Sequence, residues 1–173
     1  MNKESESEVC FCLTTQSPEA TLELGRKIGQ AVQPATVIGL EGTLGSGKTK
    51  LTQGIVQSVV DAPETVVVSP TYTLCIPYSG RVELQHLDAY RIVEDEEVFD
   101  LGLDESVDDG GVLVVEWVGK IRDLLPQLDL LIGLEAATGE SNSSERQITF
   151  QALTSHGREQ FMELAKKVGE SQV

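Results

Sequence analysis

At 173 residues and 40% hydrophobic, the chain is sized for one domain around a single substantial core. Its 13 Lys+Arg against 28 Asp+Glu leave a net charge of −15, a surface that repels phosphate backbones and excludes tight, direct binding to RNA or DNA. The start is polar and acidic, and apolar runs reach about six residues against the ~20 of a membrane helix, so a signal peptide and membrane spans are excluded and a soluble, cytoplasmic protein is expected.

Residues 1–8 are read as a polar N-terminus, 9–168 as one domain and 169–173 as a short tail. Residues 9–14 predict a strand. Cys10 and Cys12, two apart, fall on one side of it. With Cys75 they make three cysteines, and no second Cys/His pair lies nearby to complete a metal site, so packing as free thiols in the core is expected. Ser17-Pro18-Glu19 is a helix start: a capping hydroxyl, a proline suited to the first turn, and an acid at the positive end of the dipole. Ala20, Leu24, Ile28 and Ala31 then share a face up to Pro34. Residues 35–40 form a short buried strand, and from Lys48 to about Val60 helical spacing returns.

Val66, Val67 and Val68 make a β-branched run closed by Ser69-Pro70. Residues 71–78 and 81–87 look like two strands joined by Ser79-Gly80, a hairpin. The acidic stretch 94–107 predicts one or two short helices; a solvated face is the plainer account of its charge and a partner surface the sharper one. Val112-Leu-Val-Val115 is apolar throughout, as in a strand buried on both faces. A short helix near 121–125, a buried strand over 128–134, a polar loop over 138–144 and a strand over 147–150 follow. A closing helix near 155–168 buries Phe161, Leu164, Ala165 and Val168. Strands alternating with helices mean an α/β fold: a mixed, mostly parallel sheet flanked by helices, in a single domain.

The decisive segment is Gly42-Thr43-Leu44-Gly45-Ser46-Gly47-Lys48-Thr49. It satisfies G-x-x-x-x-G-K-[ST] between a buried strand and an amphipathic helix, the context a phosphate-binding P-loop requires. Glycines let the loop curl so that amides over Leu44, Gly45, Ser46, Gly47, Lys48 and Thr49 face phosphate oxygens, with the helix N-terminus adding its positive end. Lys48 is placed to reach the β- and γ-phosphates of ATP, and the Thr49 hydroxyl to bind Mg²⁺. Glu116, ending the 112–115 strand, stands where the metal-shell acid of such a site belongs. Asp88, ending residues 82–87, is a second strand-terminal acid. The hydroxyls of Ser69-Pro70-Thr71-Tyr72-Thr73 fit either a plain extended loop or a γ-phosphate switch. His86 reads first as a packed or hydrogen-bonded strand histidine, with a general base as the alternative.

Taken in order, Gly42-x-Leu-Gly-x-Gly-Lys-Thr49, Ser69-Pro-Thr-Tyr-Thr-Leu74, His86-x-Asp-x-Tyr-Arg91 and Val115-Glu-Trp117 resemble the TsaE family, the small ATPases of bacterial tRNA threonylcarbamoyladenosine biosynthesis. The resemblance runs over about residues 17–128. It implies that Thr49 and Glu116 bind Mg²⁺ with Asp88 close by, and that Thr71 and Thr73 form a switch. It also implies that adenine lies near Ser17, Pro18 and Arg146. Partners resembling the TsaD and TsaB subunits are implied too, with tRNA reached only through them, and no DNA or membrane. The family's ATP hydrolysis is thought to reset that complex between turnovers. Thr43 stands where the family generally has Asp, Ala89 where Leu is frequent and Val118 where Pro is common. A small-molecule kinase is the rival reading, but the six arginines are scattered rather than gathered at a lid. A regulatory GTPase lacks its N-K-x-D tetrapeptide. A non-hydrolysing, nucleotide-dependent scaffold stays open.

Overall fold

The computed structural model describes residues 9–70, 73–136 and 144–169. Thr71, residues 1–8, most of the 138–144 loop and the tail from 170 lie outside them. One seven-stranded sheet carries the fold, in the order β1-β7-β6-β2-β5-β4-β3. Its strands are β1 (Val9–Thr15), β2 (Val37–Glu41), β3 (Cys75–Ser79), β4 (Glu83–Asp88), β5 (Val112–Glu116), β6 (Leu130–Ala136) and β7 (Arg146–Ala152). The four inner strands β6, β2, β5 and β4 run parallel. Antiparallel strands finish both sides: β3 closes the expected hairpin on β4, while β7 and β1 extend the sheet beyond β6.

Helices α1 (Pro18–Ala31), α2 (Lys48–Val59) and α5 (Ser155–Gly169) cover one face. Leu24, Ile28, Leu51, Ile55, Phe161 and Leu164 pack there on Ile38, Leu40, Val114, Ile132, Ile148 and Phe150. The other face is covered by shorter pieces, including α3 (Glu96–Phe99), α4 (Leu103–Asp108) and the 3-10 turns Ala89–Arg91, Val118–Lys120 and Arg122–Leu124. In β5 the even residues Val112 and Val114 join the first core and the odd Leu113 and Val115 the second, the two-faced burial that its unbroken apolar run predicts.

Local signals explain the ends of these helices. Ser17 caps α1, its Oγ accepting from Ala20 N at 3.2 Å. Thr154 Oγ1 accepts from Gly157 N at 2.8 Å at the start of α5 and donates to Asp129, whose other oxygen accepts from Val37 N at 2.9 Å. Helices α1 and α2 touch backbone to backbone. A Cβ on Gly25 would come within 2.2 Å of the Leu51 carbonyl oxygen, and one on Gly54 within 2.1 Å of that of Leu22.

One expectation needs correcting. Cys10 and Cys12 do share one side of β1, but that side is exposed. The helices cover only one face of this outer part of the sheet, where Phe11 meets Phe150 and Phe161 with ring centroids 6.0 and 6.2 Å apart. The cysteines occupy the uncovered face. The Val66-Val67-Val68 run joins no strand; Val67 alone of the three is buried.

Candidate functional site

Strands β2, β4 and β5 are parallel neighbours, so their carboxyl ends open on one edge of the sheet, the edge where ligands of open α/β folds bind. Loop 42–49 leaves β2 there and enters α2 directly. Its glycines adopt positive φ: +149° at Gly42, +77° at Gly45 and +107° at Gly47, conformations that L side chains rarely take. At Gly42 a side chain is also excluded by space, since a Cβ would lie 2.3 Å from the Leu134 carbonyl oxygen. At Gly45 it would meet nothing within 4 Å. The loop is therefore tight at its base and open over its crown. Gly47 is the N-cap of α2 and supplies no side-chain cap, which leaves the amides of the first turn to face the cleft.

Lys48 turns back along the loop. Its Nζ donates to the carbonyls of Gly42 at 2.8 Å and Thr43 at 3.0 Å and lies 3.8 Å from the centroid of the Trp117 ring, within cation–π range. Burial pushes this ammonium below the ordinary lysine value, while the charges of Glu116, Glu41 and Asp88 draw it back up. Trp117, half-buried, sits at φ +60°, a left-handed backbone rare for a bulky residue. Its ring also meets Tyr90, centroids 5.0 Å apart.

The acids arrive from the neighbouring strands. Parallel register sets Asp88 opposite Glu116. By strand alternation both point to the α2 side, as Leu84 and Val114 do. Glu116 is 2% exposed. Its Oε2 accepts from Thr49 Oγ1 at 2.9 Å and its Oε1 pairs with His86 Nε2 at 2.8 Å. Asp88 accepts from Tyr90 N at 3.0 Å through Oδ1 and from the Ser69 hydroxyl through Oδ2.

These groups line a cleft of about 400 Å³ that takes in Leu44, Gly45, Gly47, Lys48, Thr49, Ser69, Asp88, Arg91, Glu116 and Trp117. Leu44 is exposed at the loop tip. A second hollow of about 210 Å³ opens across the loop, between Pro18, Thr21, Gly45, Lys50 and Arg146. Arg146 holds the loop from that side, Nε donating to Ser46 O at 3.0 Å and Nη2 to Gly45 O at 3.3 Å. Chemically, the first cleft offers amides and an ammonium to an anion, and the hard oxygens of Thr49, Asp88 and Glu116 to a dication. Among the described residues no three His, Cys, Asp or Glu side chains converge as a metal cage.

Of the residues singled out from sequence, Leu44, Gly45, Gly47, Lys48, Thr49, Asp88 and Glu116 thus meet at one cleft. Ser46 lies beneath the loop, 2% exposed, its Oγ without a partner. Ser17 spends its hydroxyl on the α1 cap, next to Pro18 of the second hollow. Thr73 sits on an exposed turn, its carbonyl accepting from Cys75 N at 2.7 Å. Ser69 of the same segment lines the cleft instead. Sequence reasoning missed the His86–Glu116 pair; the shared strand face of His86 and Asp88 was its one available signal. The acidic side chains of Glu94, Asp95, Glu96, Asp104, Glu105, Asp108 and Asp109 are exposed, as both a solvated face and a partner surface require. No described helix is long and apolar enough to cross a membrane.

Comparison with known proteins agrees with this geometry. The family model described as threonylcarbamoyl adenosine biosynthesis protein TsaE matches residues 15–148. The Bacillus subtilis tRNA threonylcarbamoyladenosine biosynthesis protein TsaE is 38% identical over 140 residues, covering 80% of this chain and 84% of its own. The Treponema pallidum protein of the same description is 34% identical over 120 residues, covering 69% and 87%. Among solved structures, that of Bacillus subtilis YdiB superposes with a TM-score of 0.77 at 32% identity, over 94% of this chain and 98% of the other.

Proposed function

Because the chain belongs to the TsaE family, we propose that it binds and hydrolyses MgATP on loop 42–49. In doing so it serves the protein complex that makes threonylcarbamoyladenosine at position 37 of tRNA. The convergence of Lys48, Thr49 and Glu116 at the carboxyl edge of the parallel strands, within hydrogen-bond and charge reach of one another, carries the reading. Loop amides and the start of α2 cradle the phosphates, and Lys48 neutralises the β- and γ-oxygens. Thr49, Glu116 and Asp88 hold Mg²⁺ between them. When bound, the metal supplies charge stabilisation for phosphoryl transfer. Glu116 and Asp88 also orient the attacking water. Adenine belongs in the hollow beside Pro18 and Arg146, near Ser17, and Thr71 and Thr73 act as the switch segment.

Partners resembling TsaD and TsaB receive the conformational change, tRNA is met only through them, and the setting is the cytoplasm. A net charge of −15 argues against direct tRNA contact by this chain alone. The test is calorimetric titration with ATP with and without Mg²⁺, followed by phosphate release with and without those partners. Binding with partner-stimulated release is expected. Absence of heat and of released phosphate, even with the partners supplied, refutes the proposal. ADP formation that requires an added small metabolite would make the chain a kinase instead.

A further inference from the structure

Resting on the reading of Glu116 just given, we infer that His86 is a positioning residue, which fixes the carboxylate of Glu116 for its work toward Thr49 and the metal. His86 is 0% exposed, in the middle of β4 and two residues before Asp88. Its Nε2 lies 2.8 Å from Glu116 Oε1, while its Nδ1 is buried with no partner. Glu116 is the imidazole's hydrogen-bond contact among the described residues. With the proton on Nε2, the ring donates to the acid and leaves only a lone pair unsatisfied at Nδ1.

An apolar side chain of similar volume would fill this place without burying an unpaired nitrogen. Packing therefore does not account for a histidine here, and the hydrogen bond to Glu116 does. That bond occupies Oε1, and the carboxylate is left with Oε2 turned toward the Thr49 hydroxyl at 2.9 Å. Both oxygens are thus assigned, and the acid has one orientation. Without the imidazole, Oε1 would be buried with no donor. The carboxylate would then be drawn toward the Lys48 ammonium, whose charge it already meets, and away from Thr49. Partners that hold a metal-shell ligand in place commonly alter metal affinity or activity about 10–100-fold when removed.

The experiment compares His86→Phe, His86→Gln and His86→Asn in the full chain with the unaltered protein. Trp117, the one tryptophan of the sequence, has its ring against Lys48 and reports nucleotide binding by its fluorescence. ADP is titrated in chelator and then in Mg²⁺, and kcat and KM for ATP are measured separately. In chelator, affinities within about twofold of the parent are expected for all folded variants. In Mg²⁺, His86→Phe is expected to lose about tenfold or more of the metal-dependent gain in affinity, with KM for ATP rising with that loss and kcat falling by a similar factor. His86→Gln, whose amide nitrogen reaches the Nε2 position, restores most of both, and His86→Asn, whose nitrogen falls short, does not. The Gln/Asn contrast decides the matter even where His86→Phe fails to fold. Equal behaviour of Gln and Asn, or a folded His86→Phe with full metal dependence, overturns the inference while leaving the ATPase reading intact. A parent protein that binds no nucleotide overturns both.

Discussion

Replacing Gly54 by alanine sets two magnitudes of opposite sign against each other. Within a helix, Gly→Ala is ordinarily stabilising by about 1 kcal/mol. Here the new methyl would lie 2.1 Å from the Leu22 carbonyl oxygen and 2.8 Å from both Arg26 N and Gly25 Cα. These are backbone atoms of α1 and cannot rotate away, so α1 and α2 must part by roughly 1 Å to restore van der Waals contact. Overpacking of this kind costs about 3 kcal/mol at the upper end of its usual range, leaving a net loss of about 2 kcal/mol. For a domain of this length that lowers Tm by roughly 4–8 °C. Circular-dichroism melts of parent and Gly54→Ala measure it directly. Gly25→Ala, which opens the same contact, should add less in the double variant than it costs alone. A Gly54→Ala protein that melts at or above the parent temperature would refute the close-packing account of this helix pair.

Lys48→Ala is expected to abolish nucleotide binding, read by calorimetry, because it removes the ammonium beside the loop. Glu116→Ala should leave nucleotide binding in chelator largely intact, lose the metal-dependent gain in affinity at least as fully as His86→Phe, and lower phosphate release by tenfold or more, an effect of about 1.4 kcal/mol or above on the barrier; unchanged release would remove its role. Burial pushes the Cys75 thiol up to about 11, so at pH 8 roughly one molecule in a thousand carries its thiolate. Alkylation followed by mass spectrometry should therefore give two fast modifications, at exposed Cys10 and Cys12. The third should be slow, accelerating about tenfold per pH unit between 8 and 10; three equal rates would contradict the burial. Mixed with tRNA at moderate salt, the chain alone should show little retardation in a gel.

The parts of this structure legible in sequence were those whose signal is local. The loop, its flanking strand and helix, and the Ser17 cap are each written within a dozen residues. The Val112–Val115 run announces burial on both faces by itself. Alternation placed Cys10 and Cys12 together but said nothing of which side the helices would cover. That depends on β1 lying at the sheet margin, paired to β7, 139 residues later, through Phe11 and Phe150. The Glu116–His86 bond spans 30 residues and the Arg146–Ser46 bond 100, and no spacing rule connects such pairs. The resemblance places Arg146 near adenine, and its hydrogen bonds to the carbonyls of Gly45 and Ser46 add a contact that no local pattern announces. Ser69 lines the cleft with its hydroxyl on Asp88, 19 residues later, another pairing that no local spacing announces.

The delivery of Lys48, Asp88 and Glu116 by three adjacent parallel strands means that no fragment of this polypeptide can assemble the proposed reaction centre. A truncated chain stopping before β5 would keep every glycine of the loop and have nothing to set against Thr49. Sliding β4 by a single position along β5 would invert its alternation and send Asp88 to the opposite surface. Chemical competence is consequently a late property of folding, arising only when non-local strand alignment is complete. Partly folded molecules, whatever helix they contain, should be silent toward nucleotide.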